Sequence, residues 1–268
     1  MLLEDKAAIV YGGGGLIGGA VACAFAREGA RVFLAGRTPA TLDTVAGEIS
    51  AAGGMVETAR VDALDERSVE EHVGAVVARA GSIDVSFNAM GIRGELQGTP
   101  LVAISQEDFA APILTGATGH FLTARAAARR MLEQRSGAIL LLTATATWSQ
   151  AALRMPIPMG GFGVACAAIE GLARSLAGEL GPRGIRVVCL RSEGVADVAH
   201  GFSSDTATAI GLSPGGLADL KPLLEEETLL RRLPTVADLA NVATFMASDR
   251  AAAMTGTVAN VSCGGVVV

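Results

Sequence analysis

Four consecutive glycines, Gly12, Gly13, Gly14 and Gly15, followed by Leu16, Ile17 and Gly18, stand between an aliphatic run and an amphipathic segment. Residues without Cβ atoms at a helix start leave backbone N–H groups open to a phosphate, and the helix dipole favours its negative charge. A glycine cluster alone also suits a tight packed turn. The order of strand, glycines and helix makes it a dinucleotide-binding turn. The next aliphatic run ends in Ala35-Gly36-Arg37-Thr38, where a site for an unphosphorylated ribose would present a carboxylate. None is there. The Arg37 guanidinium, with the Thr38 hydroxyl beside it, suits a 2′-phosphate, so NADP(H) is expected in preference to NAD(H). A solvated arginine at a strand end is the alternative.

Other chemistry-bearing side chains are sparse. Cys23, Cys166, Cys189 and Cys263 are scattered singly, without the close pairs of a zinc site or a redox dithiol. No metal is expected, and reduced thiols fit a cytoplasmic chain. The net charge of -6 argues against nucleic-acid and anionic-membrane partners, which call for a basic surface. Ala7 to Ala26 carries no charge, but its glycines fall in the middle, where each costs a helix about 1 kcal/mol relative to alanine. It reads as strand, turn and helix start, and no membrane span is expected.

The elements that must position these residues alternate along the chain. Short aliphatic runs at 7–11, 31–35, 55–60, 85–88, 138–142, 186–190 and 257–261 read as buried strands. Amphipathic segments at 17–28, 38–52, 66–79, 118–134, 163–180 and 236–248 read as helices. Ser105 with Asp108 resembles a capping box opening a further one, and Gly181-Pro182 closes the fifth. Strands separated by helices pair in parallel through right-handed crossovers. The expected fold is α/β: one Rossmann-type, doubly wound parallel sheet in a three-layer α/β/α sandwich, a single domain over 1–268. The stretch 193–232, with Pro214, Pro222 and the acidic triplet Glu225 to Glu227, breaks the rhythm. It reads as an excursion over the site mouth, either a lid or an inert insertion.

Several motifs in this order resemble the short-chain dehydrogenases/reductases. Val61-Asp62, with Ala63 after it, resembles the family's strand end at the adenine. Asn88-Ala89-Met90-Gly91 resembles its Asn-Asn-Ala-Gly stretch. Residues 167–172, 179–187, 232–235, 245–249 and 255–256 continue the match. The resemblance implies a nucleotide site at Gly12, Gly14, Gly15, Leu16, Ile17, Gly18, Arg37, Thr38, Asp62, Ala63, Asn88, Ala89 and Met90. It also implies a homo-oligomer, dimer or tetramer, built on alanine-rich helices. The family's glycine pattern would place threonine at Tyr11 and a middle glycine at Leu16, so the turn departs from it at both positions.

The family's chemistry uses a tyrosine as proton donor, a lysine four residues later, a serine and an asparagine. In register, Phe162 stands at the tyrosine position and Cys166 at the lysine position. Gly116 stands for the asparagine, and Thr143-Ala144 for the usual Ser-Ser. Phenylalanine donates no proton, and cysteine supplies no permanent cation. The only tyrosine is Tyr11, and the only lysines are Lys6 and Lys221. Thr143 or Thr145 can still offer a hydroxyl. His120 is either titratable beside the reacting centre or packed, and Cys166 either a nucleophile or a core thiol. Arg191 and Glu193 either bind an anion, relay a proton or pair with each other. Trp148, Met155, Met159 and Phe162 would form an apolar wall.

Three functions are compatible with this set. One is an NADP(H)-dependent oxidoreductase of the short-chain type with an atypical site, acting on the C=C bond of a small molecule such as an enoyl thioester. Another is a catalytically silent nucleotide-binding subunit. The third is a non-redox isomerase or lyase on the same scaffold.

Overall fold

The computed structural model describes residues 1–146, 158–197 and 217–267. Seven parallel strands run in the order β3-β2-β1-β4-β5-β6-β7: β1 (Ala7–Tyr11), β2 (Arg31–Gly36), β3 (Met55–Arg60), β4 (Val85–Asn88), β5 (Gly137–Ala144), β6 (Ile185–Ser192) and β7 (Val258–Val261). All five residues of β1 are buried, as a parallel strand covered by helices on both faces requires. That is why its sequence is an unbroken apolar run.

The helices are α1 (Leu16–Arg27), α2 (Pro39–Ala51), α3 (Glu66–Ala80), α4 (Gln106–Gln134), α5 (Gly160–Leu180), α6 (Leu217–Glu227) and α7 (Val236–Ala247). One core layer joins Ile9, Ile139 and Leu141 to Val73, Met131 and Ile169 of α3, α4 and α5. The other joins Val10, Leu140 and Leu190 to Val21, Ile49 and Ala243 of α1, α2 and α7. The expected single-domain three-layer sandwich is therefore present.

One expectation is corrected. The segments opening at Ser105 and at 118 are one helix of 29 residues, α4, with Pro112 inside it. Ser105 Oγ accepts from Asp108 N at 3.0 Å, capping the single start. Part of the 193–232 excursion is helical, since α6 spans Pro222 and the acidic triplet. The rest of that stretch, 198–216, lies outside the described residues, as do Trp148 and Met155.

The edge strand β3 is guarded by charge: Glu57 binds Arg31 at 2.6 Å and Arg79 at 2.7 Å. Charges on an edge discourage pairing with another sheet.

Candidate functional site

Strand order reverses between β1 and β4, and open parallel sheets bind ligands in the crevice outside the strand ends at such a switch point. A cleft of about 400 Å³ opens there. Of the residues singled out from sequence, Gly12, Gly14, Gly15, Arg37, Thr38, Asp62, Ala63, Ala89 and Met90 line it. Leu16, Ile17, Gly18 and Asn88 do not. Leu16 is 51% exposed and faces a neighbouring groove between α1, α2 and α7, which explains how the turn tolerates a side chain where the family has glycine. Ile17 packs on the α1 side of the core, and Gly18 and Asn88 are buried.

The turn is glycine for steric reasons. Gly12 has φ +75°, and a Cβ there would lie 2.4 Å from the Ala89 carbonyl oxygen. One at Gly18 would lie 2.2 Å from the Gly12 carbonyl oxygen. Gly12 N and Gly13 N donate to Ala35 O at 2.8 and 3.2 Å, pinning the turn to β2. Gly15 caps α1 without a side-chain hydrogen bond, so the first amides of that helix are available to an anion. This cradle fits the pyrophosphate of a dinucleotide. Gly18→Ala is expected to cost about 3 kcal/mol, because backbone rather than a flexible side chain opposes the methyl. Urea unfolding checks it; a variant as stable as the parent would mean that the turn opens freely.

Arg37 is exposed on the cleft rim and makes no ion pair among the described residues. Asp62 Oδ1 accepts from Leu64 N at 3.0 Å, fixing the turn after β3. Further cleft residues were not singled out from sequence, among them Thr41, Arg93 and Thr115. Arg93 carried a signal: it is a basic residue just past the Asn88–Gly91 stretch. Its backbone is left-handed at φ 57°, and its guanidinium pairs with Glu95.

The second half of the site surrounds the ends of β5 and β6. Thr143 Oγ1 donates to Cys166 O at 3.3 Å, joining β5 to α5. Cys166 is fully buried in the core, and burial pushes its thiol up, which removes the conditions for a thiolate nucleophile. Four residues earlier on α5, about 6 Å nearer the strand ends, is half-buried Phe162. Two residues on from Thr143, just past the end of β5, is Thr145. None of Thr143, Thr145, Phe162 or Cys166 lines the nucleotide cleft itself.

Arg191 and Glu193 do not pair. Arg191 Nε and Nη2 each donate to the Glu170 carboxylate at 2.7 Å, with both side chains buried. Glu193 instead accepts from Thr145 Oγ1 at 2.7 Å. The expectation of a mutual surface pair is corrected on both counts. Gly116, at the asparagine position, is buried, and a Cβ there would meet Ile92 Cγ2 at 2.9 Å. Glycine is thus what lets the loop after β4 lie against α4.

His120 is fully buried, with Nδ1 2.8 Å from Gly116 O. Its Nε2 has no hydrogen-bond partner among the described residues, nor does either amide atom of Asn88. Burial holds its pKa down to about 4, against the pull of the Gly116, Leu142 and Asn88 backbone. His72, edge-on to Tyr11, is likewise lowered to about 4 by burial and then by Arg79. The unfolded chain therefore binds protons below about pH 6.5 that the folded chain refuses, and stability falls as pH drops towards 4. For His120 the loss by pH 4 is on the order of 3 kcal/mol. Urea midpoints should fall over that interval, less steeply in His120→Gln. Equal slopes would contradict the assignment.

A family model described as enoyl-(acyl carrier protein) reductase matches residues 15–265. The 3-oxoacyl-[acyl-carrier-protein] reductase of Chlamydia muridarum is 32% identical over 264 residues, covering 98% of each chain. (+)-Borneol dehydrogenase 1 of Salvia officinalis is 32% identical over 257 residues, 95% of this chain and 91% of that protein. An NAD+-bound xylitol dehydrogenase structure matches with TM-score 0.86 at 25% identity, covering 98% of this chain and 100% of that one. These relatives bear the names of oxidoreductases. With the seven-strand order and the glycine cradle at its switch point, the chain belongs to the short-chain dehydrogenase/reductase family.

Proposed function

We propose that the chain is an NADPH-dependent reductase of activated carbon–carbon double bonds, with an enoyl thioester as the substrate class. What supports this reading is the glycine-lined cleft at the switch point of the sheet, together with the register that sets Phe162 and Cys166 at the tyrosine and lysine positions. Reduction of a ketone needs a proton on oxygen as hydride arrives. Conjugate reduction does not: the enolate can take its proton afterwards, so a tyrosine-lysine pair is dispensable. The description of the matching family model supports the same class.

In this reading the glycine turn and the α1 amides hold the pyrophosphate, Arg37 and Thr38 the 2′-phosphate, and Asp62 and Ala63 the adenine side. Bound there, NADPH supplies the hydride. Phe162 and Met159, packed on the core, form a dry wall that strengthens electrostatic contacts in the site. A backbone N–H at the strand ends stabilises the enolate oxygen. Leu114 and Phe121 on α4 and Val164 on α5 are exposed, which supports helix-to-helix assembly into a dimer or tetramer. The four free cysteines suit a cytoplasmic setting.

The test has two stages. NADPH and NADH are titrated by fluorescence, then NADPH oxidation is followed with enoyl thioesters and ketones. Binding of NADPH with oxidation by enoyl thioesters is expected. Binding of neither nucleotide removes the reading, and binding without oxidation by any substrate favours a silent nucleotide-holding subunit.

A further inference from the structure

Glu193 follows directly on β6, at the strand ends where an open parallel sheet does its chemistry. Its carboxyl is held from both sides. Thr145 Oγ1 donates to Oε2 at 2.7 Å and Gly194 N to Oε1 at 3.1 Å. Glu193 N donates to Val261 O at 3.3 Å, and a Cβ at Gly265 would lie 3.0 Å from Oε2. Thr145 is two residues beyond Thr143, whose hydroxyl meets Cys166 O on α5, the helix that carries Phe162. A carboxyl group is therefore fixed where β5 and β6 end.

We propose that Glu193 is the acid of this site, delivering a proton to the α-carbon of the enolate left by conjugate reduction. This rests on the enoyl-reductase reading. As the Glu193 O–H bond breaks, the enolate's electron pair forms the Cα–H bond and the C=O double bond is restored. The carboxylate left behind accepts the Thr145 hydroxyl and the Gly194 amide, and water reprotonates it. Burial favours the protonated carboxyl at rest, raising its pKa against those two hydrogen bonds. Among the described residues no cation opposes this. Arg191, two residues back, is turned to Glu170 on α5.

Microscopic reversibility provides a test without nucleotide. The same carboxylate must remove and return an α-proton of the saturated thioester. Butyryl-CoA is incubated with the full chain in D2O and its α-deuteration followed by mass spectrometry, alongside NADPH oxidation by crotonyl-CoA. The wild type is expected to exchange, and Glu193→Gln to slow exchange by about 100-fold, with Glu193→Asp restoring part of it. No exchange by the wild type, or equal exchange by Glu193→Gln, overturns the proposal. If crotonyl-CoA is nevertheless reduced, the reductase reading stands. Exchange that depends on Glu193 without reduction does the reverse: it supports the acid–base role and removes the reductase reading. Should Glu193→Gln not fold, the wild-type pH profile decides. Exchange rising through a pKa above the ordinary carboxylate range supports Glu193, and pH-independent exchange overturns it.

Discussion

Replacing Arg37 with serine is expected to raise the Kd for NADPH about thirty-fold while leaving the Kd for NADH within about twofold. A charge-assisted hydrogen bond to phosphate contributes about 2 kcal/mol, and each 1.4 kcal/mol is about a tenfold change in Kd. Arg37 lies on the cleft rim without an ion-pair partner among the described residues, so the substitution removes ligand contact rather than internal structure. The melting temperature without nucleotide should accordingly be unchanged. The wild-type preference for NADPH should also weaken as salt rises, because an exposed pair is screened. Calorimetric titration of both nucleotides at two salt concentrations checks this. An equal loss for NADPH and NADH would place Arg37 at a group the two share.

Arg191→Met is expected to lower stability by about 3–5 kcal/mol, the usual cost of leaving one partner of a buried ion pair alone. In a chain of this size that lowers the melting temperature by roughly 10 °C. Among the described residues Glu170 would keep the Arg174 ion pair alone, at 3.3 Å and half exposed. The pair ties the middle of α5 to the end of β6, so its loss loosens the floor on which Phe162, Thr145 and Glu193 stand. The double variant Glu170→Met with Arg191→Met should recover most of the loss, since two apolar chains can replace a buried pair. Calorimetry of the three variants separates the cases. A single variant as stable as the parent would mean that water already screens the pair.

Much of the scaffold was legible because its causes are local. Strands β1 and β4 begin and end where their apolar runs do, since each is buried along its whole length. The turn at Gly12 was legible because a left-handed φ and a 2.4 Å approach to Ala89 leave no room for a side chain. What escaped was tertiary. Pro112, Gly116 and Gly119 interrupt the helical pattern, yet α4 continues through them because its face packs on α5. Nothing in the order of residues joins Glu170 to Arg191, or Thr145 to Glu193, which lie 21 and 48 residues apart. The first pair exists because α5 packs on β6, and the second because β5 and β6, in register at Thr143 and Arg191, bring their ends together. That the chain has one tyrosine, Tyr11, and two lysines, Lys6 and Lys221, was plain from sequence; the contact of Thr145 with Glu193 was not.

One labelled turnover decides whether this site reduces a double bond. Crotonyl-CoA is converted with NADPH carrying deuterium at the transferable position, and the product is read by NMR. Butyryl-CoA with deuterium on the β-carbon and a solvent-derived hydrogen on the α-carbon is expected. Unconsumed NADPH, or label appearing only at the alcohol carbon of a ketone substrate tested in parallel, would contradict it.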